Sequence, residues 1–397
     1  MKRIKEMLAF RKAVSHKTSG IGFVFSGGGS RAAYQVGALK ALVPYLDRSP
    51  DPITVVVGCS VGALNGLLFS AGLKHSPAEA VQKLEALWRE RTFKNSFSDA
   101  PSAAFFRAIK MAILQYMSPG PKPTSSSLFD PWPLMERLDG LLVEHGGLHP
   151  DNRHPSLHSV GVMTTVEGEE RKPLLFLSSH KELDHELMEG ASFDISYVEE
   201  LTAKHGFASA ALPSVLPPVE LDTEAGMVRL VDGGISQNIP VDPAVRLGAK
   251  KVIVLDISGR NWWLDHYGEA HDTRPTWEVP ADLETFCMRP PDTFLIRNKE
   301  PLGPLLEEAV GKSTRKFIAA LGPTWPIFKL LKTKLGKTLA YEAMSYVALD
   351  TDYLHGLIER GYQETTQLLK DKEEIEFQHT GSVKDILLSI YHKVSGK

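Results

Sequence analysis

Two short apolar runs, Ile21-Gly22-Phe23-Val24-Phe25 and Ile53 to Val57, are each followed by a stretch with apolar residues at helical spacing. After the first, Tyr34, Ala38, Leu42 and Leu46 recur every four residues within Ala32 to Leu46; after the second, Val61 to Leu73 is rich in Ala, Leu and Gly. A continuous apolar run stopped by glycine fits a buried strand, and a period near 3.6 fits a helix. Two strand-turn-helix units in succession predict a parallel sheet covered by helices. The pattern predicts a further helix over Pro77 to Arg91 and strands at Ser159 to Glu167, Leu174 to Ser178, Met227 to Val231 and Lys251 to Ile257. Within the last of these, Val252-Ile253-Val254-Leu255 reads as fully buried. Ser118 to Ser127 is rich in Pro and Ser and reads as a loop suited to a mobile flap. Beyond residue 260, Trp262, Trp263 and Trp277 stand in a Pro- and charge-rich stretch, followed by helical patterns to the end.

With 397 residues, 43% of them hydrophobic, the chain can bury a sizeable core. A net charge of −3, from 45 Lys+Arg and 48 Asp+Glu, creates no global field for nucleic acid. Cys59 and Cys287 cannot form a disulfide framework, so folding without oxidation is expected. No apolar run approaches the ~18–20 residues that span a bilayer. Residues 1–20 are basic and weakly amphipathic, with an apolar centre too short for a secretory signal. They read as an intracellular arm, either solvated or lying on a membrane surface. Residues 312–341 hold Lys312, Arg315, Lys316, Lys329, Lys332, Lys334 and Lys337 and no acid at all, with Trp325, Ile327, Phe328, Leu330, Leu331 and Leu335 interleaved. Such a face either docks on anionic lipid, at ~1 kcal/mol per well-placed cation, or packs its apolar side on the core.

Three motifs carry the candidate chemistry. In Ser26-Gly27-Gly28-Gly29-Ser30-Arg31 the glycines follow a strand and precede a helix, and their successive N–H groups suit an anion. The Gly-Lys-Ser/Thr of a triphosphate loop is missing, and a Gly-x-Gly-x-x-Gly pattern fails at Ala32. Arg31 is open between fixing the loop, assisting an anion and capping a carbonyl. Gly58-Cys59-Ser60-Val61-Gly62 lies between a strand and a helix, the setting of a nucleophile elbow, and the helix N-terminus favours negative charge near Ser60. The order Ser, Asp, His of the common hydrolase fold is not obeyed: only two strands precede Ser60, and none of the 14 histidines stands in a late segment built to reach it. His145, His149, His154 and His158 fall in a Gly-, Pro- and Asn-containing loop and read as exposed rather than as metal ligands. Asp232 follows Val228 to Val231 and precedes Gly233-Gly234; it is either a strand-end carboxylate able to act as a base without histidine, or an Asp-Gly turn.

Together, Gly27 to Arg31 with Gly37, Gly58 to Asn65, Ala208 to Pro218, and Asp232-Gly233-Gly234 with Asn238 and Pro240 resemble the patatin-like phospholipases over about residues 20–258. Ser26 stands where plant members have Asp, and Ala32 where many have Gly. The resemblance implies a three-layer α/β/α sandwich around a mainly parallel sheet. The expected domains are the basic arm 1–20, a catalytic domain 21–258, and a mainly helical region 259–397 packed on it. Carried over by position, Ser60 is the nucleophile, Asp232 its base, Gly27, Gly28, Gly29 and Arg31 the oxyanion site, and Gly58 and Gly62 the elbow glycines. No cofactor or metal is implied. The expected function is a lipid acyl hydrolase of phospholipase A or lysophospholipase type, acting through an acyl-enzyme. The alternatives are an esterase or acyltransferase with the same dyad, and a non-catalytic membrane-binding protein. Expected partners are a phospholipid or other acyl-ester lipid and an anionic membrane surface met by residues 312–337 and 1–20, with no nucleic acid; the expected location is the cytoplasm, with peripheral membrane attachment.

Overall fold

The first strand, β1 (Ile21–Phe25), is apolar throughout and buried on both faces. The structure is a computed structural model; it describes residues 20–97, 127–258 apart from 169, 184 and 189, and 292–377. The predicted Pro/Ser-rich flap up to Ser126, residues 1–19, the three tryptophans after residue 260 and Cys287 lie outside the described residues. After β1 come α1 (Ala33–Leu46), β2 (Ile53–Cys59), α2 (Val61–Gly72) and α3 (Pro77–Arg89). Ser76 caps α3, its Oγ accepting from Glu79 N–H at 3.1 Å, with Pro77 in the first turn, where the missing N–H costs nothing. Next are α4 (Trp132–Glu144), β3 (Ser159–Val166), β4 (Pro173–Ser179), β5 (Asp194–Tyr197) and α5 (Ala203–Ser209). They are followed by β6 (Val219–Thr223), β7 (Gly226–Val231), α6 (Val241–Arg246), β8 (Lys251–Asp256) and β9 (Asp292–Arg297). The last helices are α7 (Gly303–Val310), α8 (Thr314–Leu321), α9 (Trp325–Leu335), α10 (Lys337–Met344) and α11 (Thr351–Leu368).

Among the described residues one nine-stranded sheet has the order β5-β4-β3-β2-β1-β8-β9, with β7 joining β3 and β6 joining β7. The centre, from β3 through β2, β1 and β8 to β9, is parallel throughout. Because side chains alternate along a strand, Phe23, Phe25 and Val56 enter the core on one face while Val24, Val55 and Val57 enter the other. The first face is covered by α1, α2, α3 and α11, and the second by α6 through Val241, Ala244 and Val245. Helices thus lie on both faces, the three-layer α/β/α arrangement.

Three strands escape the apolar-run pattern. β5 and β6 are short and half polar, as strands near a sheet margin with solvated faces are. β9 lies in the region expected to be helical, yet it pairs in parallel with β8 from Lys251↔Asp292 to Asp256↔Arg297. The boundary drawn at residue 258 therefore cuts through the sheet: the later part of the chain supplies a strand as well as helices. No described helix is long and apolar enough to cross a membrane.

The basic segment divides its apolar residues between core and surface. Phe328 is buried and Phe317, Trp325 and Leu331 pack against the core, whereas Ile327, Leu330 and Leu335 are exposed at 42%, 55% and 39%. Lys316 pairs with Asp350 and Asp352, Lys337 pairs with Glu307, and Lys329 lies over the Trp325 ring. Among the described residues Lys332 and Lys334 have no acidic partner.

Candidate active site

Register along β3 decides the site. β2 runs parallel to β3 and its last pair is Cys59↔Met163; β7 runs antiparallel to β3 and pairs through Thr165↔Val231 and Val166↔Leu230. Since β4 occupies the opposite edge of β3 at Thr165↔Pro173, β7 lies on the edge that β2 has just left. The two strands meet head to head there. The residues that follow them, Ser60 and Asp232, are thrown together although far apart in sequence, and Ser60 Oγ donates to Asp232 Oδ2 at 2.6 Å.

Ser60 occupies a turn of φ 52° and ψ −136°, outside the usual range of an L-residue, and its side chain is projected ahead of α2. Strain of this kind costs about 1–3 kcal/mol and persists only where the surroundings hold it. Here they do: Ser60 N–H donates to Ser209 Oγ at 2.7 Å, and Ser209 Oγ in turn donates to Met163 O at 2.5 Å. Gly62 follows because α2 starts against the end of β1, where a Cβ would lie 2.3 Å from Ser26 O. Gly58 sits at the same turn, on the strand side.

Asp232 is buried, and its carboxylate is held from both ends. Gly234 N–H donates to Oδ1 at 2.7 Å, opposite the Ser60 bond to Oδ2, while its backbone N–H donates to Ala211 O and its carbonyl accepts from Thr165 Oγ1. Burial pushes its pKa up to about 6, with the bonds from Ser60 and Gly234 opposing that rise. An ionised Asp232 is thus a stronger base than an aqueous carboxylate. Burial and the neighbouring Asp232 charge both keep the Cys59 thiol protonated, which leaves it a packing residue.

The glycine loop differs from expectation in two places. Gly27 N–H already donates to Asn238 O at 3.1 Å, so that amide is committed to the fold. The N–H groups of Gly28 and Gly29 have no partner among the described residues, and both residues line the cavity beside Ser60. Gly29 has φ +58° and passes so near Tyr346 O that a Cβ would lie 2.0 Å from it, which only glycine permits. Arg31 turns away from the site. Its Nη2 pairs with Glu342 Oε1 at 2.5 Å and donates to Glu342 O, its Nε donates to Ser345 Oγ, and its guanidinium stacks 3.6 Å from the Tyr346 ring centroid. The side chain is fully buried, so Arg31 clamps the glycine loop to α10 and takes no part in an oxyanion site.

Ser60, Asp232, Gly28 and Gly29 open onto a cavity of about 400 Å³, walled mainly by apolar groups such as Leu64, Trp88, Phe93, Phe129, Leu134 and Phe207. Tyr346, Val347 and Leu349, from the connection between α10 and α11, close one side. The volume and apolar walls suit a hydrocarbon chain. No histidine lines this cavity among the described residues. The predicted histidine loop does not gather: His145 is buried at the end of α4, and its neighbours are His75 and Glu79, with one ligand atom from each within 4.8 Å of the others. That trio could hold a metal ion, and it lies outside the cavity lining.

Of the supporting residues, Gln35 and Trp88 carry no sequence signal of their own, while Asn65 closes the elbow motif. Gln35 Nε2 donates to Ser26 O and Leu255 O, Asn65 Nδ2 donates to Ala32 O and Gln35 Oε1, and Trp88 Nε1 donates to Asn65 Oδ1. This buried network ties the glycine loop to the elbow helix. Ser209 is visible only as one small residue in the Ala208 to Pro218 stretch.

A mainly parallel sheet with helices on both faces, and a hydrogen-bonded Ser/Asp pair at its strand ends, defines the class as an α/β protein. The model of the family described as patatin-like phospholipase matches residues 23–245, more than half of the chain, which belongs to that family. No curated protein matches the sequence. Among solved structures, VipD from Legionella pneumophila is similar at 14% identity and TM-score 0.34, covering 88% of this chain and 66% of that one. Human GIVD cytosolic phospholipase A2 is similar at 13% identity and TM-score 0.35, covering 92% and 63% respectively. The type III effector protein ExoU is similar at 11% and 0.35, covering 94% and 57%. The chain thus spans less than two thirds of the length of these solved relatives.

Proposed function

We propose that this protein is a lipid acyl hydrolase that cleaves carboxylic esters of phospholipids, of phospholipase A or lysophospholipase type, with Ser60 as nucleophile and Asp232 as base. The observation that carries the reading is the 2.6 Å bond from Ser60 Oγ to a buried Asp232 at the head of an apolar cavity. Ser60 Oγ attacks the ester carbonyl while its proton passes to Asp232 Oδ2. The oxyanion that forms is met by the N–H groups of Gly28 and Gly29; loss of one such donor costs about 2.7–4 kcal/mol of transition-state stabilisation. Collapse expels the alcohol, which takes the proton from Asp232, and leaves an acyl-Ser60. Water then attacks the acyl group, giving its proton to Asp232, and the fatty acid leaves as Ser60 is reprotonated. With an alcohol in place of water the same steps give acyl transfer.

Access to lipid is assigned to the exposed face of α9, where Ile327, Leu330 and Leu335 stand among Lys332 and Lys334. Apolar side chains at acyl depth beside cations at headgroup level are the pattern of a helix lying on an anionic bilayer. The deciding experiment is incubation with defined phospholipid vesicles, lysophospholipid and short nitrophenyl esters, the products read by mass spectrometry. Free fatty acid released by the wild type and not by Ser60→Ala supports the reading; an unmodified lipid pool in the wild type overturns it. Reversing the charge of Lys329, Lys332 and Lys334 should reduce sedimentation with anionic vesicles, and unchanged sedimentation would remove the membrane face from the proposal.

A further inference from the structure

Four arginines are buried among the described residues: Arg31, Arg91, Arg153 and Arg246. Three have oxygen partners within the protein: Arg31 faces Glu342, Arg246 faces Asp242, and Arg153 donates to Ser178 O. Arg91 differs. Only 7% of it is exposed, and neither an acid nor a hydrogen-bond acceptor meets its guanidinium among the described residues; Arg31 Nη1 and Arg153 Nε and Nη2 are also buried without a partner, but those two guanidiniums are held by other bonds. What it does touch is the Trp88 ring, 4.5 Å from the guanidinium carbon. An unpaired buried cation is strongly unfavourable unless something else neutralises it.

Its position indicates what that is. Arg91 lines the same cavity as Ser60 and Asp232. It also lines an adjoining hollow of about 220 Å³ with Asn95, Ser96 and a second guanidinium, Arg137; Glu90, also at that hollow, is not among the groups that act on the Arg91 charge. Trp88, on which Arg91 stacks, is fixed by its 2.8 Å bond to Asn65 of α2, the helix that begins after Ser60. The cation is therefore held at a set place relative to the nucleophile. Burial lowers its pKa only to about 10, so it stays charged at neutral pH.

We propose that Arg91 binds the phosphate of the substrate and makes the site selective for phosphate-bearing lipid esters over neutral esters of the same acyl chain. The inference rests on the hydrolase reading above. A guanidinium presents a planar fork of donors that matches phosphate oxygens. The carboxylate released by hydrolysis forms at Ser60 itself, so a separate cation beside an apolar cavity suits the headgroup side of the ester.

The test compares kcat/KM for lysophosphatidate and for monoacylglycerol of the same chain length in the wild type, Arg91→Gln and Arg91→Lys. The wild type should prefer lysophosphatidate. Arg91→Gln should lower the ratio of the two values about 10–100-fold, chiefly through KM, and Arg91→Lys should retain part of it. A ratio unchanged in Arg91→Gln, or an equal loss on both substrates, overturns the assignment and leaves the hydrolase reading standing. Cleavage of neither ester by the wild type overturns both. If Arg91→Gln does not fold, wild-type inhibition decides: dodecyl phosphate should inhibit at least about tenfold more tightly than dodecanol. Equal inhibition by the two, or inhibition by inorganic phosphate at the same concentration, overturns the lipid-phosphate site.

Discussion

The cavity is bounded by two walls built on different principles. On the sheet side, Ser60, Ser209, Asp232, Thr165 and Gly234 form a closed set of hydrogen bonds at the ends of β2 and β7. On the helical side, Phe93, Phe129, Leu134 and Phe207 offer only shape, and among the described lining residues Arg91 brings a cation that no acid pairs. The difference is between chemistry and accommodation. A proton transfer needs two atoms held within hydrogen-bond reach, so its wall is saturated with directional bonds. An acyl chain needs only the removal of water from its surface, which apolar side chains supply without fixed direction.

The largest effects are expected at the sheet wall. Ser60→Ala and Asp232→Asn should each lower kcat/KM on a lysophospholipid by at least about 10⁴-fold. Wild-type turnover in either variant would mean that the reacting groups are elsewhere. A smaller effect, on stability, is expected where the C-terminal helices brace the sheet wall. Glu342→Ala leaves the Arg31 guanidinium buried and unpaired, and should reduce unfolding free energy by about 3–5 kcal/mol in urea titrations. A midpoint equal to the wild type would show that the clamp contributes nothing.

Asp232 predicts both an activity profile and a stability profile. Activity requires the carboxylate, so kcat/KM should fall as pH drops below about 6, with a single-proton limb set by the raised pKa. For stability the sign is opposite. The folded state binds this proton more tightly than the unfolded chain, whose value is near 3.8, so the favourable contribution is complete below that value and is lost as pH rises through about 6. Asp232→Asn keeps an acceptor for Gly234 N–H and removes the buried charge. It should therefore be more stable than the wild type at pH 8, by up to about 3 kcal/mol, and the gap should narrow towards pH 4. Thermal melts across that range check the sign. The smallest effect is expected from Ser209→Ala, which deletes the bond to Ser60 N–H; about 1–2 kcal/mol and a modest fall in kcat should follow. A loss as large as that of Ser60→Ala would place Ser209 in the chemistry itself.

Elements with a local signature were legible without the structure. β1, β2 and β8 are continuous apolar runs, and each is buried in the sheet. β9 has no such signature: Phe294-Leu295-Ile296 is a brief apolar run in a region dominated by helical periodicity, and what makes it a strand is the partner edge offered by β8. Arg31 was read from its neighbours in sequence, whereas its environment is Glu342, 311 residues away. Arg91 carried no signal, because a lone arginine at the end of a helix is ordinary until its burial is known.

The sequence by itself determined the local turns: a serine between two glycines where a buried strand gives way to a helix, an aspartate at the end of another strand, and a glycine run after β1. Such features follow from sterics and from apolar period, which act over a few residues. Only the tertiary structure decided that Ser60 and Asp232 meet, that Gly27 is spent on Asn238, and that Arg31 belongs to α10. Those outcomes depend on which edge of β3 is vacant beyond Cys59, and on which distant carboxylate can reach a buried cation, and neither is encoded within the motifs themselves.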